Sequence, residues 1–230
     1  MDSTANRPAN PDAGQRQERA YHELKRRIMY GELAPGVRML ENDVAVLLDM
    51  SRTPVREAMI RLADEGLIEV RPRRGMEVLG ITVDDLEEIY AVRLPLEAAA
   101  VELAATRGLE PEERTCLEEA QALMDQALSA GDTRTWSEAD DAFHGGLVKA
   151  SRNRRLATIL DTLQVQLHRG RRATTVMREK PQQSNQEHHG ILAAIIARDP
   201  ERARSLHEAH LRRTSGLLVD LLRSRGMTSI

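Results

Sequence analysis

Four ionisable side chains with metal-binding chemistry lie where apolar periodicity predicts the buried faces of three helices: Asp140, His144, His188 and His210. Asp140 and His144 are four residues apart, so both project from one side of a helix. An unpaired carboxylate is very costly to bury, whereas a carboxylate and three imidazoles together suit Zn, Ni, Mn or Fe. The pattern therefore predicts a site for a divalent transition metal of uncertain identity. The alternative is a set of core polar groups with ordinary hydrogen-bond partners, which single buried histidines usually are.

A second set of residues has the types and spacing for DNA recognition. Arg52 and Arg56 are four residues apart near the start of a predicted helix, where Pro54 suits the first turn. An arginine fork can pair with guanine edges, and a helix N-terminus favours phosphate. Downstream, the Arg-Arg-Gly turn at residues 73–75 separates two short alternating segments. A basic helix start followed by a hairpin with a basic turn is typical of a winged helix-turn-helix, although single surface arginines are usually solvated charges.

The elements that must position these residues form two parts of a mainly α chain. Three short helices and a small β-hairpin are predicted to make an N-terminal winged helix-turn-helix. No strand pattern follows Leu79, and the later segments predict an all-α antiparallel helical bundle. The predicted bounds are a disordered tail at residues 1–14, the winged helix-turn-helix at 15–79, a linker at 80–83 and the bundle at 84–225.

Local features of the bundle carry specific expectations. Pro95 lacks an amide hydrogen, so a kink or break is predicted just before it. Ser184–Glu187 has the spacing of a capping box and predicts the start of a helix. Gly145 and Gly146 directly follow the second candidate ligand and predict a loosened helix behind it. His207 is expected nearer the edge of its apolar face.

Composition narrows the class of protein. The chain has 230 residues and a formal net charge of −3, and residues 1–80 contain 13 basic and 13 acidic residues. Bulk charge therefore does not favour nucleic-acid binding, and DNA contact must depend on where the arginines lie. Five aromatic residues argue against base-stacking readers of RNA or single strands. One cysteine, a polar N-terminus and no transmembrane-length apolar run predict a cytoplasmic protein with no membrane partner.

Two stretches resemble one family. The run from Glu32 to Gly75 resembles the N-terminal domain of GntR-family bacterial transcription regulators, most strongly at LAPG (33–36), SRTPVREA (51–58) and EGLI (65–68). This match covers roughly residues 16–79. The block at 84–105, DDLEEIYAVRLPLEAAAVELAA, resembles the opening helices of the all-helical FCD domain of the FadR branch. The pieces DDAFH, EHHGILAAI and AHL resemble the metal-site pattern of that domain.

For the N-terminal part, the resemblance implies seven DNA-binding residues: Ser51, Arg52, Thr53, Arg56, Arg73, Arg74 and Gly75. The arginines at the helix start would reach guanine edges or phosphates, and the two hydroxyl residues would contact the DNA backbone. The turn would lie close to the minor groove. Asn42 departs from the pattern, because some relatives place a basic DNA contact there.

For the helical part, the resemblance implies a metal bound by four ligands, with one position left for water or an effector oxygen. The implied ligands are Asp140, His144, His188 and His210. Arg93 would help to bind an acidic effector, and an ion pair with Glu97 is the equal alternative. Three further arginines near the possible mouth of the site are expected mostly on solvated surface: Arg169, Arg171 and Arg172.

The predicted function is that of a DNA-binding transcriptional regulator and not of an enzyme. It would be a metabolite-responsive repressor, with a small carboxylate effector, that acts as a homodimer on palindromic operator DNA. One alternative is a metal-dependent hydrolase or oxygenase, although no further acid or base occupies the centre of an apolar face. Another is a regulator whose bundle only dimerises around a structural metal.

Overall fold

The computed structural model describes residues 11–163 and 181–226. The chain divides into two compact units, Met1–Gly80 and Ile81–Ile230. The predicted fold class is confirmed: a winged helix-turn-helix with a small sheet precedes an all-helical unit. Among the described helices, none is long and apolar enough to cross a membrane.

The first unit contains three helices and a three-stranded antiparallel sheet of order β1-β3-β2. Its elements are α1 (Pro11–Met29), β1 (Arg38–Met39), α2 (Glu41–Leu48), α3 (Arg52–Asp64), β2 (Ile68–Arg71) and β3 (Gly75–Val78). The predicted hairpin is β2–β3, in which Val70 pairs with Met76. Strand β1 was not predicted, because two residues are too few to show an alternating pattern.

The helices of the first unit pack through the apolar faces that their spacing predicts. The buried residues on α1 and α3 include Tyr21, Leu24, Ile28, Val55, Met59 and Leu62. Helix α1 begins at Pro11, so residues 11–14 are helical and do not belong to the predicted tail. Residues 1–10 lie outside the described part of the chain.

Gly75 allows β1 to join the sheet. Its φ of +77° is a conformation that glycine adopts without strain, and a Cβ there would lie 2.1 Å from the carbonyl oxygen of Met39. A larger residue would therefore push β1 away from β3. The sequence pattern assigned Gly75 only to the wing tip and did not reveal this packing requirement.

The second unit is made of helices joined by short connections. They are α4 (Val83–Arg107), α5 (Pro111–Ala130), α6 (Thr133–Ala150), α7 (residues 154–163 of those described), α8 (Gln182–Ile196) and α9 (Pro200–Ser224). Helix α4 packs against α6 and α9, and α5 packs against α6. Most of the core comes from these helices, with Phe143, Leu147 and Ile191 almost fully buried.

Two predictions about helix boundaries are wrong. Helix α4 is continuous through Pro95 without a break, because residues on both sides of it, such as Ile89 and Ala98, are held by burial in the core. Helix α8 begins at Gln182, so Ser184–Glu187 lies inside it and is not its capping box. The side chains with the spacing of a cap instead contact α9, as described below.

The glycine pair in α6 has a packing role. A Cβ on Gly146 would lie 2.8 Å from the side chain of Leu117 on α5, whereas a Cβ on Gly145 would meet nothing within 4 Å. Helix α6 continues through both residues. Gly146 therefore lets α5 approach α6 closely, and the loosening of the helix stays a prediction.

Candidate metal centre and nucleic-acid interface

Helices α6, α8 and α9 bring the four predicted ligands together inside the second unit. The Nε2 atoms of His188 and His210 are 3.3 Å apart. Asp140 Oδ1 lies 3.5 Å from His188 Nε2 and 3.7 Å from His144 Nε2. All four side chains are buried, and possible ligand atoms of the three histidines lie within 4.8 Å of one another.

These separations match those of ligands around one metal ion. Tetrahedral ligands at about 2.0–2.1 Å from a metal are about 3.4 Å from one another. His144 adds a second observation, because its buried Nε2 has no hydrogen-bond partner among the described residues. Buried polar atoms normally have one, so a core of satisfied polar groups does not account for His144.

His210 is oriented by a carboxylate outside the cluster. Its Nδ1 donates a 2.7 Å hydrogen bond to Glu187, which also accepts one from Nε of Arg213 at 2.7 Å. This bond leaves the Nε2 lone pair of His210 directed towards the cluster, as in carboxylate–histidine–metal arrangements. Sequence reasoning missed this role of Glu187 and Arg213, because the contact joins two helices.

The pKa values in this arrangement shift in opposite senses. Burial lowers the pKa of His210 to about 4, although the hydrogen bond to Glu187 opposes that shift. Burial raises the pKa of Glu187, but His210 and Arg213 lower it more, to about 2. Near neutral pH the imidazole is therefore neutral and the carboxylate is charged, which are the states that metal binding through Nε2 requires.

A second group of possible metal ligands lies on the other side of the His144 ring. Glu97 Oε2 is 2.9 Å from Nε2 of His207 and 3.4 Å from Nδ1 of His144. His207 is fully buried, so its predicted place near the edge of the apolar face is wrong. Glu97 already forms an ion pair with Arg93, whose positive charge disfavours a cation beside it. The first cluster is therefore the better metal site.

Arg93 is also buried, with 1% of its surface exposed. Its Nε donates to Glu97, which is the ion pair that the spacing of four residues allowed. Its two terminal nitrogens have no hydrogen-bond partner within the described residues. Burial raises the pKa of Glu97, but Arg93, His144 and His207 bring that pKa well below its usual range, so the pair is ionic. The Nε edge of the guanidinium is therefore paired, and the two terminal nitrogens remain available to donate hydrogen bonds to a ligand.

Six of the seven predicted DNA-binding residues are exposed and lie in two segments of the first unit, whereas Gly75 is partly buried at the start of β3. Ser51, Arg52, Thr53 and Arg56 lie at the start of α3, and Arg73 and Arg74 lie in the turn between β2 and β3. Nε of Arg52 donates a 2.9 Å hydrogen bond to Glu41 on α2, and 68% of its side chain is exposed. The three arginines predicted on solvated surface lie outside the described residues: Arg169, Arg171 and Arg172.

Each of the two units matches a known protein family. Residues 16–78 match the family model for bacterial regulatory proteins of the gntR family, and residues 88–213 match that for the FCD domain. The chain belongs to the GntR family.

Relatives of this GntR-family protein span most of its length. It is 33% identical to the HTH-type transcriptional regulator YdhC of Bacillus subtilis, over 83% of this chain and 85% of that protein. It is 29% identical to the HTH-type transcriptional repressor RspR of Escherichia coli, over 86% of each chain. The structure of E. coli McbR/YncC is similar with a TM-score of 0.75 at 27% identity, covering 89% of this chain and 97% of that one.

These comparisons decide between the classes of function that the residues left open. The matched families and relatives are DNA-binding transcriptional regulators, which confirms the prediction of a regulator and not an enzyme. The hydrolase or oxygenase alternative is therefore discarded. The GntR-family domain implies binding to operator DNA, and the FCD domain implies a small-molecule effector.

Proposed function

We propose that this GntR-family protein is a metabolite-responsive repressor of the FadR branch. Its helical unit would hold a divalent transition metal and bind a small carboxylate effector that changes operator affinity. The observation that carries this proposal is the buried cluster of four candidate metal-ligand side chains, in which Nε2 of His144 has no hydrogen-bond partner among the described residues. E. coli RspR is named a repressor, which supports the direction of regulation.

Asp140, His144, His188 and His210 would hold the metal, which supplies a Lewis-acidic position for an effector oxygen. Asp140 contributes a negative charge, and Glu187 fixes the orientation of His210. Arg93 contributes two donors that match the two oxygens of a carboxylate. The ion pair with Glu97 holds the guanidinium in place before the effector binds.

At the DNA, Arg52 and Arg56 would read base edges or phosphates from the start of α3. The exposed hydroxyls of Ser51 and Thr53 would contact the DNA backbone, and the wing would contribute Arg73, Arg74 and Gly75. We infer a cytoplasmic homodimer on a palindromic operator, because two recognition helices must reach half-sites about one helical turn apart. Effector binding and DNA binding would then be linked through a shared equilibrium between conformations.

The metal part of this proposal is tested by comparing two neighbouring histidines of α8. His188 faces the cluster. His189 pairs with Asp125, and 56% of its side chain is exposed. Metal content per chain and the metal-induced rise in melting temperature should fall sharply in His188→Ala and stay unchanged in His189→Ala. Equal metal content in both variants would contradict the assignment. Unfolding of His188→Ala, even with metal present, would indicate a structural metal and no sensing role.

A further inference from the structure

We propose that His207 determines the specificity of the effector site, which binds carboxylates that also carry a hydroxyl group. This inference rests on the proposed function and deepens it, because it names a second chemical group of the same effector. It follows from the buried chain of contacts that joins Arg93, Glu97 and His207.

One carboxylate holds both of the side chains that would contact the effector. Oε1 of Glu97 accepts a hydrogen bond from Nε of Arg93, and Oε2 of Glu97 lies 2.9 Å from Nε2 of His207. All three side chains are buried in the second unit. The guanidinium and the imidazole are therefore held in place by the two oxygens of one residue.

The contact with Glu97 fixes the tautomer of His207. Burial lowers the pKa of His207, although the hydrogen bond to Glu97 opposes that shift, so the ring is neutral near neutral pH. An ionised carboxylate can only accept, so the single ring proton lies on Nε2 of His207. Nδ1 is therefore left as a hydrogen-bond acceptor.

This acceptor has no partner among the described residues, although His207 is fully buried. Buried polar atoms normally have a partner, so Nδ1 marks a position where a ligand can donate a hydrogen bond. The two terminal nitrogens of Arg93 are buried donors that also have no partner within the described residues. The site thus presents donors that match a carboxylate and an acceptor that matches a hydroxyl.

His207 also lies beside the candidate metal cluster. The centroid of its ring is 5.5 Å from that of His144 and 6.2 Å from that of His210. A small effector that contacts both the metal and Arg93 would therefore meet the imidazole of His207 as well. An acid without a hydroxyl would leave Nδ1 buried and unpaired, which is the reason that sites built to bind a hydroxyl reject analogues that lack it.

Replacing His207 by Gln should remove the preference for a hydroxyl and keep the contact with Glu97. The glutamine amide can still donate to Glu97, but it has no acceptor atom that superimposes on Nδ1. We expect His207→Gln to bind an acid and its hydroxy derivative with nearly equal affinity. His189→Gln is the matched control, because His189 is an exposed histidine that pairs with Asp125. His207→Leu, which also lacks the acceptor, gives the same test if His207→Gln does not fold.

The experiment uses the full-length, metal-loaded protein and pairs of acids that differ by one hydroxyl: propionate and lactate, succinate and malate, phenylacetate and mandelate. Melting temperature screens each pair, and calorimetry then gives the affinities of the acids that bind. The wild type and His189→Gln should bind the hydroxy member of a pair at least about tenfold more tightly. The ratio within a pair is the informative quantity, because a purely structural loss would weaken both members equally.

Failure of this inference and failure of the proposed function look different. Equal affinities of the wild type for both members of every pair that binds would overturn the preference for a hydroxyl and leave a carboxylate-sensing site in place. An undiminished preference in His207→Gln or His207→Leu would overturn the role of His207. No binding of any of these acids to the wild type would overturn the proposed effector class itself. The wild-type comparison needs no variant, so it tests the inference even if neither substitution folds.

Discussion

The candidate effector site and the candidate DNA-reading residues place their charges in opposite environments. At the effector site, charged and titratable side chains are buried and contact one another, as with Arg93, Glu97 and His207. At the start of α3, most of the Arg52 side chain is exposed, and its ion pair is with the partly exposed Glu41. Buried ion pairs are destroyed at a high energetic cost, whereas exposed pairs contribute little.

This difference indicates two ways of preparing a binding site. The buried cluster orients its groups before any ligand arrives, since neighbouring helices hold each side chain. The candidate DNA-reading arginines of α3 keep solvent-exposed charged ends, so Arg52 can exchange its internal partner for a base edge. Substitutions in the cluster should therefore affect stability as well as binding, and those on α3 should affect mainly DNA binding.

The largest expected effect comes from removing one partner of the buried ion pair. Arg93→Ala leaves the Glu97 carboxylate buried without its cation and should destabilise the second unit by about 3–5 kcal/mol. Arg52→Ala removes an exposed pair and should change stability by no more than about 1 kcal/mol. Urea unfolding followed by circular dichroism measures both. Equal losses in the two variants would remove the proposed contrast between the regions.

An intermediate effect is expected from pH in the metal-free protein. The folded-state pKa of His210 is about 4, below the ordinary value of about 6.5 for histidine. Between these values the unfolded chain binds a proton that the folded chain does not, so stability falls as the pH is lowered. His210 alone should cost about 2 kcal/mol by pH 5.

The low pKa of Glu187 does not add to the loss of folding stability between neutral pH and pH 5. Its contribution is fully present above the unfolded-state pKa of a glutamate and is lost only as the pH falls from there towards about 2. Urea unfolding at pH 7.5 and pH 5 after chelation tests the histidine effect. His210→Gln should show a smaller loss than the wild type, and an identical loss in both proteins would contradict the assignment.

A smaller and more local effect is expected at the DNA. Arg52→Ala should weaken binding by about 1–3 kcal/mol and relax specificity at one base pair of the half-site. Arg61→Ala is the matched control, because Arg61 lies near the other end of α3 and pairs with Glu18. Fluorescence anisotropy with single-base operator variants measures both, and a uniform loss across all sequences would make Arg52 a phosphate contact.

Features that depend on one short segment could be predicted from the sequence. Features that depend on contacts between distant segments could not. Asp140, His144, His188 and His210 were identified because a position at the centre of an apolar helix face is a property of a short segment. The contact between Glu97 and His207 was not predicted, because it joins residues 110 positions apart. Of the predicted kink or break at Pro95, the break was wrong, because packing on both sides of the proline outweighs one missing hydrogen bond.

The same distinction explains Ser184–Glu187. The spacing fits a capping box, but Glu187 contacts His210 and Arg213, and Ser184 accepts a hydrogen bond from Arg213. These residues therefore form contacts between α8 and α9, which a local sequence pattern does not reveal. Strand β1 depends likewise on Gly75, which is distant in sequence and close in space.

Operator affinity, measured with and without an effector identified by the melting screen, tests the central claim most directly. The wild type, His188→Ala and Arg52→Ala are compared with the same labelled operator. We expect the effector to change the operator affinity of the wild type but not that of His188→Ala, which should still bind DNA. Arg52→Ala should lose DNA affinity and still bind the effector. An effector that binds the wild type without changing its operator affinity would contradict the account.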